Sequence, residues 1–331
     1  MIRDIVINGR FLSRRVTGVE RYGGEIIRLF SDNYRVEKTR SNGLAGHVWE
    51  QFVLPTKLKS ESILWSPANT GPLLIRNQAL TIHDLSPLEH PEWFGKSFAA
   101  WYRLLLPLLA RRARVIFTPS EYIKQKVQKK LNAKNVIVTL NGVDTTVFHA
   151  EACQQTYEFP QKYILFVGSL QPRKNLARLM QAWHVIKDEF KDTWLVIAGA
   201  AGHVFRVVKF FGDERIRFMN YVSEVDLPGL YARAEILVLP SFDEGFGLPA
   251  IEAMACGTPV IVSNGGALPE TVGDAGLIFD LSKPDDLIKA IRECLSDNNL
   301  RLALKEKGLT QVKKFSWQQT ADLVWNTLNE I

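Results

Sequence analysis

The sequence predicts an α/β protein made of two doubly wound, Rossmann-like domains, each built on a parallel sheet. Three observations lead there. Short β-branched runs alternate with amphipathic helical stretches along the chain. The runs are apolar almost throughout, as strands covered by helices on both faces must be. They fall into two series separated by a polar stretch, in a chain of 331 residues, and two domains of about 150 residues suit that length.

The first series opens with IVING (5–9) and continues with SILWSP (62–67), ALTIHD (79–84), VIFTPS (115–120) and NVIVTLNG (135–142). These runs close at Pro, Asn, Asp or Gly, residues that end strands and start turns. Helical periodicity covers 18–30 and 121–131. The second series is YILFVGS (163–169), WLVIAGA (194–200), IRFMNYV (216–222), EILVLPS (235–241), PVIVSN (259–264) and GLIFD (276–280), with helices over 176–190 and 249–256. Between the series, AEACQQTYEFPQ (150–161) is polar, weakly periodic and contains Pro160. It predicts a linker, with domains over 1–155 and 156–315.

The composition, 46% hydrophobic and 23% charged, is that of an ordinary globular protein. The net charge of +6 suits an anionic ligand or an anionic membrane surface. No helix-turn-helix signature, zinc spacing or aromatic–basic RNA motif accompanies it, so nucleic acid is not an expected partner. Cys153, Cys256 and Cys294 are widely spaced and odd in number, which argues against a disulfide framework or zinc site and for a cytoplasmic protein. MIRDIVINGRF lacks the apolar core of a signal peptide. The most apolar stretch, Leu104 to Ala110, contains Pro107, lies between Arg103 and Arg111, and is too short to span a bilayer.

The strongest chemical signal is PSFDEGFGLPAIEAMACGTPVI (240–261). A strand runs into a loop with Gly245 and Gly247, then a helix with Pro249 in its first turn and Gly257 past its end. Glycines ahead of a helix N-terminus bring backbone N–H groups close to a ligand, and the helix dipole favours phosphate. Glu244 in the loop and Glu252 in the helix bracket this turn and need not share a face, so the two can serve different parts of a ligand. GFGLPA also fits the loose G-x-G-x-x-A dinucleotide pattern, but an acid should then close the next strand about 20 residues on. That strand ends in Ser263–Asn264. A purely structural loop needs fewer special residues than two glycines, a proline and two acids.

Arg173–Lys174 is expected at the start of a helix, where the dipole prefers anions, so a bound diphosphate would explain the pair. The plainer reading is a solvated surface pair. His83–Asp84 closes a predicted strand at the edge where open α/β sheets bind ligands, although a lone histidine is more often structural. Gly18, in the first βα loop, allows close backbone approach to a bound ligand. There is no D-x-D and no Walker G-x-x-x-x-G-K-[ST]. Trp93, Phe94, Phe98, Trp101, Tyr102 and Leu104 to Leu109 lead into Arg111, Arg112 and Arg114, with Lys124, Lys126, Lys129 and Lys130 beyond. Such a surface can rest on anionic lipid, but apolar stripes of this kind are more often core.

The pattern E-G-F-G-L-P-x-x-E-A-M-A-x-G-x-P-V-I resembles retaining glycosyltransferase family 4, of the GT-B fold, with its E-x7-E pair. TGVERY (17–22) resembles the family's first glycine loop and HDLSP (83–87) its histidine loop. TPSEYIKQKV and LNGVDTTVF resemble the end of its acceptor domain. VGSLQPRKNLARLMQAW resembles the opening of its donor domain, and LPETVGDAGLIFD follows the E-x7-E helix. The chain departs from the pattern at Ser169, where the family often has Arg, and at Thr17, which replaces one of two adjacent glycines.

The resemblance implies acceptor and donor domains facing across a cleft, with a final helix over 316–331 returning to the first domain. It implies a nucleotide sugar as donor substrate, no cofactor, no metal, and a glycan or lipid-linked acceptor. Donor contacts would come from Gly18, Ser169, Arg173, Lys174, Tyr221, Val222, Glu244, Gly245, Phe246, Gly247, Leu248 and Glu252. The catalytic group would be Glu244, His83, Arg173 and Lys174. Within the family the chain is most similar to bacterial mannosyl- and rhamnosyltransferases of surface-polysaccharide assembly, which favours GDP-mannose, retention of configuration, and work at the inner face of the cytoplasmic membrane. Two rivals are a GT-B sugar-nucleotide 2-epimerase and an inactive nucleotide-sugar-binding subunit.

Overall fold

The computed structural model describes residues 4–13, 16–31, 33–152, 160–199 and 213–331. The chain divides into two compact units, 1–142 with 316–331, and 143–315. The division falls ahead of the expected linker, of which residues 153–159 lie outside the described residues, as does Cys153. Packing explains its position. Phe148 is buried with its ring 6.1 Å from that of Tyr231, and Val143 N–H donates to the Phe315 carbonyl at 3.2 Å, so this segment belongs with the second unit.

Among its described residues, unit 1 has six parallel strands: β1 Ile5–Asn8, β2 Tyr34–Glu37, β3 Ile63–Ser66, β4 Gln78–Thr81, β5 Val115–Thr118 and β6 Val136–Val138. Their order is β2-β1-β3-β4-β5-β6, so the winding reverses between β1 and β3. Strands β1, β3, β4 and β5 are buried at every residue, as their apolar runs require. The edge strand β2, YRVE, is half-buried and has no apolar run, which is why sequence reading passed over it.

Helix α1 (Gly18–Leu29) starts from a capping box. Thr17 caps the helix, and the Glu20 carboxylate returns to the Thr17 N–H at 3.2 Å. The threonine in place of a glycine thus gives this helix its start. Next come α2 (Gly43–Val48), continued by a π-helical turn at Trp49–Val53, and α3 (Ser86–Glu89). Helix α4 (Lys96–Arg112) carries Pro107 inside it. Its inner face buries Tyr102, Leu105, Leu106 and Leu109, while Leu104 and Leu108 are exposed. Helix α5 (Glu121–Leu131) is capped by Ser120, which accepts from Ile123 N–H at 3.2 Å.

Unit 2 repeats the plan with β7 Lys162–Val167, β8 Thr193–Ala198, β9 Ile216–Asn220, β10 Ile236–Leu239, β11 Val260–Ser263 and β12 Gly276–Phe279. These are also parallel, in the order β12-β11-β10-β7-β8-β9, and the winding reverses between β7 and β10. Its helices are α6 (Leu176–Ile186), α7 (Leu227–Ala232), α8 (Leu248–Ala255), α9 (Leu268–Val272), α10 (Asp286–Ser296) and α11 (Asn298–Gln311). Helix α6 is shorter than its apolar periodicity predicts, because Phe190 packs on the same core from the following turn.

The last helix, α12 (Trp317–Glu330), belongs to unit 1. Trp317 meets Tyr22 and Trp325 meets Phe30, with ring centroids 6.1 and 4.9 Å apart. Thr320 Oγ1 donates to the Leu140 carbonyl at 2.5 Å. Among the described residues no helix is long and apolar enough to cross a membrane.

Candidate active site

In an open parallel sheet the loops leaving two neighbouring strands diverge where the winding reverses, and the crevice this leaves is the usual ligand site. In unit 2 that point lies between β7 and β10. The loop after each strand supplies half of one charged cluster.

The Glu244 carboxylate, on the loop after β10, accepts from Arg173 Nη1 at 2.7 Å, Lys174 Nζ at 2.5 Å and Ser241 Oγ at 2.8 Å. Arg173 also donates to the Asp243 carbonyl at 2.8 Å. The two loops are tied by Phe242 N–H donating to the Arg173 carbonyl at 2.8 Å and Asn175 Nδ2 to the Pro240 carbonyl at 3.0 Å. Glu244 is only 6% exposed, and Lys174 is buried beside it. Burial alone would push the carboxyl pKa up. The charges of Arg173 and Lys174, with hydrogen bonds from Lys174 and Ser241, overcome that and hold it down to about 2.

Arg173 and Lys174 do not stand at a helix start. They occupy a separate turn, Pro172–Lys174, and left-handed Asn175 (φ 52°) intervenes before α6. Their charge is balanced by a carboxylate from a neighbouring strand loop, so the expectation from the helix dipole is corrected here.

A third loop buttresses the cluster from β11. Ser263 Oγ donates to the Ser241 carbonyl at 2.5 Å, and Ala267 N–H donates to the Glu244 carbonyl at 2.8 Å. Gly266 has φ +67°, and a Cβ there would lie 2.3 Å from Glu244 N and 2.4 Å from its carbonyl oxygen. Only glycine fits. On the β7 side of the crevice a Cβ on Gly199 would lie 1.8 Å from the Gly168 carbonyl oxygen, so the loops after β7 and β8 meet backbone to backbone.

Helix α8 follows from Gly247, whose φ of +107° turns the chain into it, and Pro249 sits in the first turn. Glu252 is buried within α8 and accepts from Tyr231 Oη at 2.8 Å. The two glutamates of the E-x7-E pair thus have different surroundings, one clasped by cations and the other facing a phenol. Phe246 and Leu248 are buried, Gly245 is half-buried, and Ser169 is exposed on the loop after β7. After β9, Tyr221 is exposed and Val222 buried.

In unit 1, His83 leaves the C-terminal end of β4 and is buried. Its Nε2 lies 2.7 Å from the Pro67 carbonyl, and its backbone N–H donates to Asn69 Oδ1 at 2.7 Å. A carbonyl only accepts, so Nε2 carries the proton and Nδ1 keeps its lone pair. Burial lowers the ring's pKa, against the opposing effects of the Pro67 bond and nearby carboxylates, which favours this neutral form. Gly18 is the first residue of α1.

On the basic face of this unit, Lys126 and Lys130 both pair with Glu89, and Lys124 pairs with Glu121 at 3.2 Å. Sequence reading missed Ser241, Gly168, Gly199, Gly265 and Gly266. The Gly265–Gly266 dipeptide after PVIVSN was the available signal, since paired glycines mark backbone that other residues cannot adopt.

Compared with known proteins, the fold is that of the GT-B glycosyltransferases. HepE from Anabaena, solved in complex with UDP-glucose, matches 99% of this chain and 100% of its own with a TM-score of 0.78 at 16% identity. Residues 154–311 match the family described as glycosyl transferases group 1, and residues 63–147 match glycosyltransferase family 4. The O-antigen chain mannosyltransferase B of Escherichia coli is 33% identical over 261 residues, 75% of this chain and 68% of that enzyme. The serotype-specific mannosyltransferase WbdA of Escherichia coli is 29% identical over 260 residues, 73% of this chain but 32% of its own length. The chain therefore belongs to the family 4 glycosyltransferases.

Proposed function

We propose that the protein is a retaining, metal-independent mannosyltransferase. It would take mannose from GDP-mannose and pass it to a glycan or lipid-linked saccharide in the assembly of O-antigen or a related surface polysaccharide. The observation that carries the chemistry is the ionised, buried Glu244 clasped by Arg173 and Lys174 at the switch point of unit 2. The names of the mannosyltransferase relatives support the sugar and the setting.

In this reading the leaving nucleoside diphosphate takes up the two cations, whose charge offsets the negative charge that grows as the glycosidic C–O bond breaks. Glu244 holds hydroxyls of the sugar and stabilises the positive charge developing on its ring. The acceptor hydroxyl attacks from the leaving-group side, its oxygen bonds to the anomeric carbon, and its proton passes to the departing phosphate. Configuration is retained and no covalent nucleophile is needed. His83 offers its Nδ1 lone pair to a sugar hydroxyl.

The test is incubation of the purified protein with labelled GDP-mannose and lipid-linked saccharide acceptors in excess EDTA. The expected result is an α-linked product from the α-linked donor, at a rate unchanged by chelation. Loss of activity restored by magnesium or manganese sinks metal independence, and a β-linked product sinks retention. Contact with anionic lipid is part of the proposal, resting on exposed Phe98, Leu104 and Leu108 along α4, which ends in Arg111 and Arg112. Equal recovery on neutral and anionic vesicles at low salt would reject its electrostatic form.

A further inference from the structure

Unit 1 has its own switch point, between β1 and β3, and a second buried Arg–Glu pair lies there. Arg10, on the loop after β1, donates through Nε to Glu50 Oε1 at 3.1 Å and through Nη2 to Thr70 Oγ1 at 2.5 Å. Thr70 Oγ1 donates in turn to Glu50 Oε1 at 3.1 Å, and Asn8 Nδ2 donates to the same oxygen at 2.7 Å. All four residues are at most 3% exposed. Arg10 Nη1 is buried without a hydrogen bond, and Glu50 Oε2 faces His47 Nδ1 at 3.6 Å. A buried ion pair with an unmet donor is a poor way to stabilise a fold, since apolar side chains of the same volume often do as well or better. Its geometry points to another task.

The cluster grips one loop, 67–73. Glu50 and Arg10 hold Thr70, while the next residue, Gln51, donates to the Gly71 carbonyl at 2.8 Å and accepts from Leu73 N–H at 3.0 Å. Both Glu50 and Gln51 come from the π-helical turn, a form frequent at functional sites. The same loop supplies both partners of His83 described above, the Pro67 carbonyl and the Asn69 side chain. Asn69 is itself in the left-handed region, at φ 64°. The loop is thus fixed on one side by the ion pair and fixes the histidine on the other.

We infer that Arg10, Glu50 and Thr70 are positioning residues: they set the 67–73 loop so that His83 is held in one orientation as its Nε2–H tautomer, which leaves Nδ1 an acceptor. The inference rests on the proposed role of His83 as a sugar contact. Arg10 and Glu50 act through Thr70 and its loop.

The test compares Thr70→Val, which removes the joining hydroxyl at nearly constant volume, with Thr70→Ser, which keeps it, and with Glu50→Gln. Two readouts are taken on the full chain: the long-range proton–nitrogen NMR spectrum of the histidine rings, with His83→Gln assigning the signal, and the transfer kinetics. Wild type and Thr70→Ser should give a single Nε2–H tautomer at His83. Thr70→Val and Glu50→Gln should give mixed tautomers or a broadened signal. Their kcat should fall about 10- to 100-fold with the donor KM nearly unchanged, the usual scale for a misplaced contact. Should Glu50→Gln fail to fold, the two threonine variants decide the matter alone. A wild-type His83 spectrum in Thr70→Val overturns the inference. A changed spectrum with an unchanged kcat leaves the positioning intact and instead removes His83 from the proposed mechanism.

Discussion

Replacing Glu244 by Gln keeps the shape of the side chain and removes its charge. In the native protein this carboxylate is 6% exposed, and its pKa stands at about 2 against an ordinary 4.5. A carboxyl held that far below its ordinary value places on the order of 3 kcal/mol of folding free energy on the ionised form. As pH falls, the unfolded chain takes up this proton near its ordinary pKa, and the folded chain only near 2. The stabilisation is therefore complete above about pH 5 and is lost toward pH 2, with more than half gone by about pH 3. Glu244→Gln never has it, and also leaves Arg173 and Lys174 without their carboxylate. The gap in stability between the two proteins should be widest at neutral pH and close on acidification. Urea denaturation of the full chain, followed by tryptophan fluorescence across this pH range, measures the gap. Carboxylates common to both proteins cancel in the difference. Stability curves that run parallel from neutral pH to pH 3 would falsify the account of Glu244 as a buried, cation-clasped anion.

Lys174→Ala removes a charge-assisted contact worth roughly 1.5–3 kcal/mol, so kcat/KM for the donor should drop about 10- to 150-fold; an unchanged value marks Lys174 as structural only. Glu252→Gln should raise the donor KM and leave kcat nearly intact, whereas Glu244→Gln should lower kcat under donor saturation, because its interaction grows in the transition state. If Glu252→Gln harms kcat more than Glu244→Gln does, the two roles are reversed. Gly266→Ala forces a side chain into left-handed backbone and against Glu244, and should cost on the order of 2–4 kcal/mol in chemical denaturation. A fully stable Gly266→Ala protein would mean that the β11 loop is free to move away from Glu244.

Much of this was legible in the sequence because burial leaves a strong pattern. Short β-branched runs such as VIFT and ILVL fit strands covered on both faces, and Pro249 with Gly257 marked the ends of α8 within a residue. Strand β2 was hidden because YRVE sits at an edge, where one face needs no apolar residue. The site was legible as a set of residue types but not as a geometry. Arg173 and Lys174 are 71 and 70 residues from Glu244, and only the β12-β11-β10-β7-β8-β9 order brings the two loops together. The Arg10–Glu50–Thr70 cluster left no trace, since single charged residues in polar-looking stretches resemble solvated surface until the fold buries them.

The return of α12 to unit 1 bears on how the protein is made. Unit 1 is assembled from segments on both sides of unit 2, and its share from α12 includes Trp317, Val324 and Leu328, all buried. A ribosome delivers the whole of unit 2 before it delivers that helix. The unit that is second in sequence is thus the first whose entire sequence is available to fold. Unit 1 waits with Tyr22 and Phe30, in and just past α1, without their partners until α12 emerges, and apolar surface left open during synthesis is what chaperones cover.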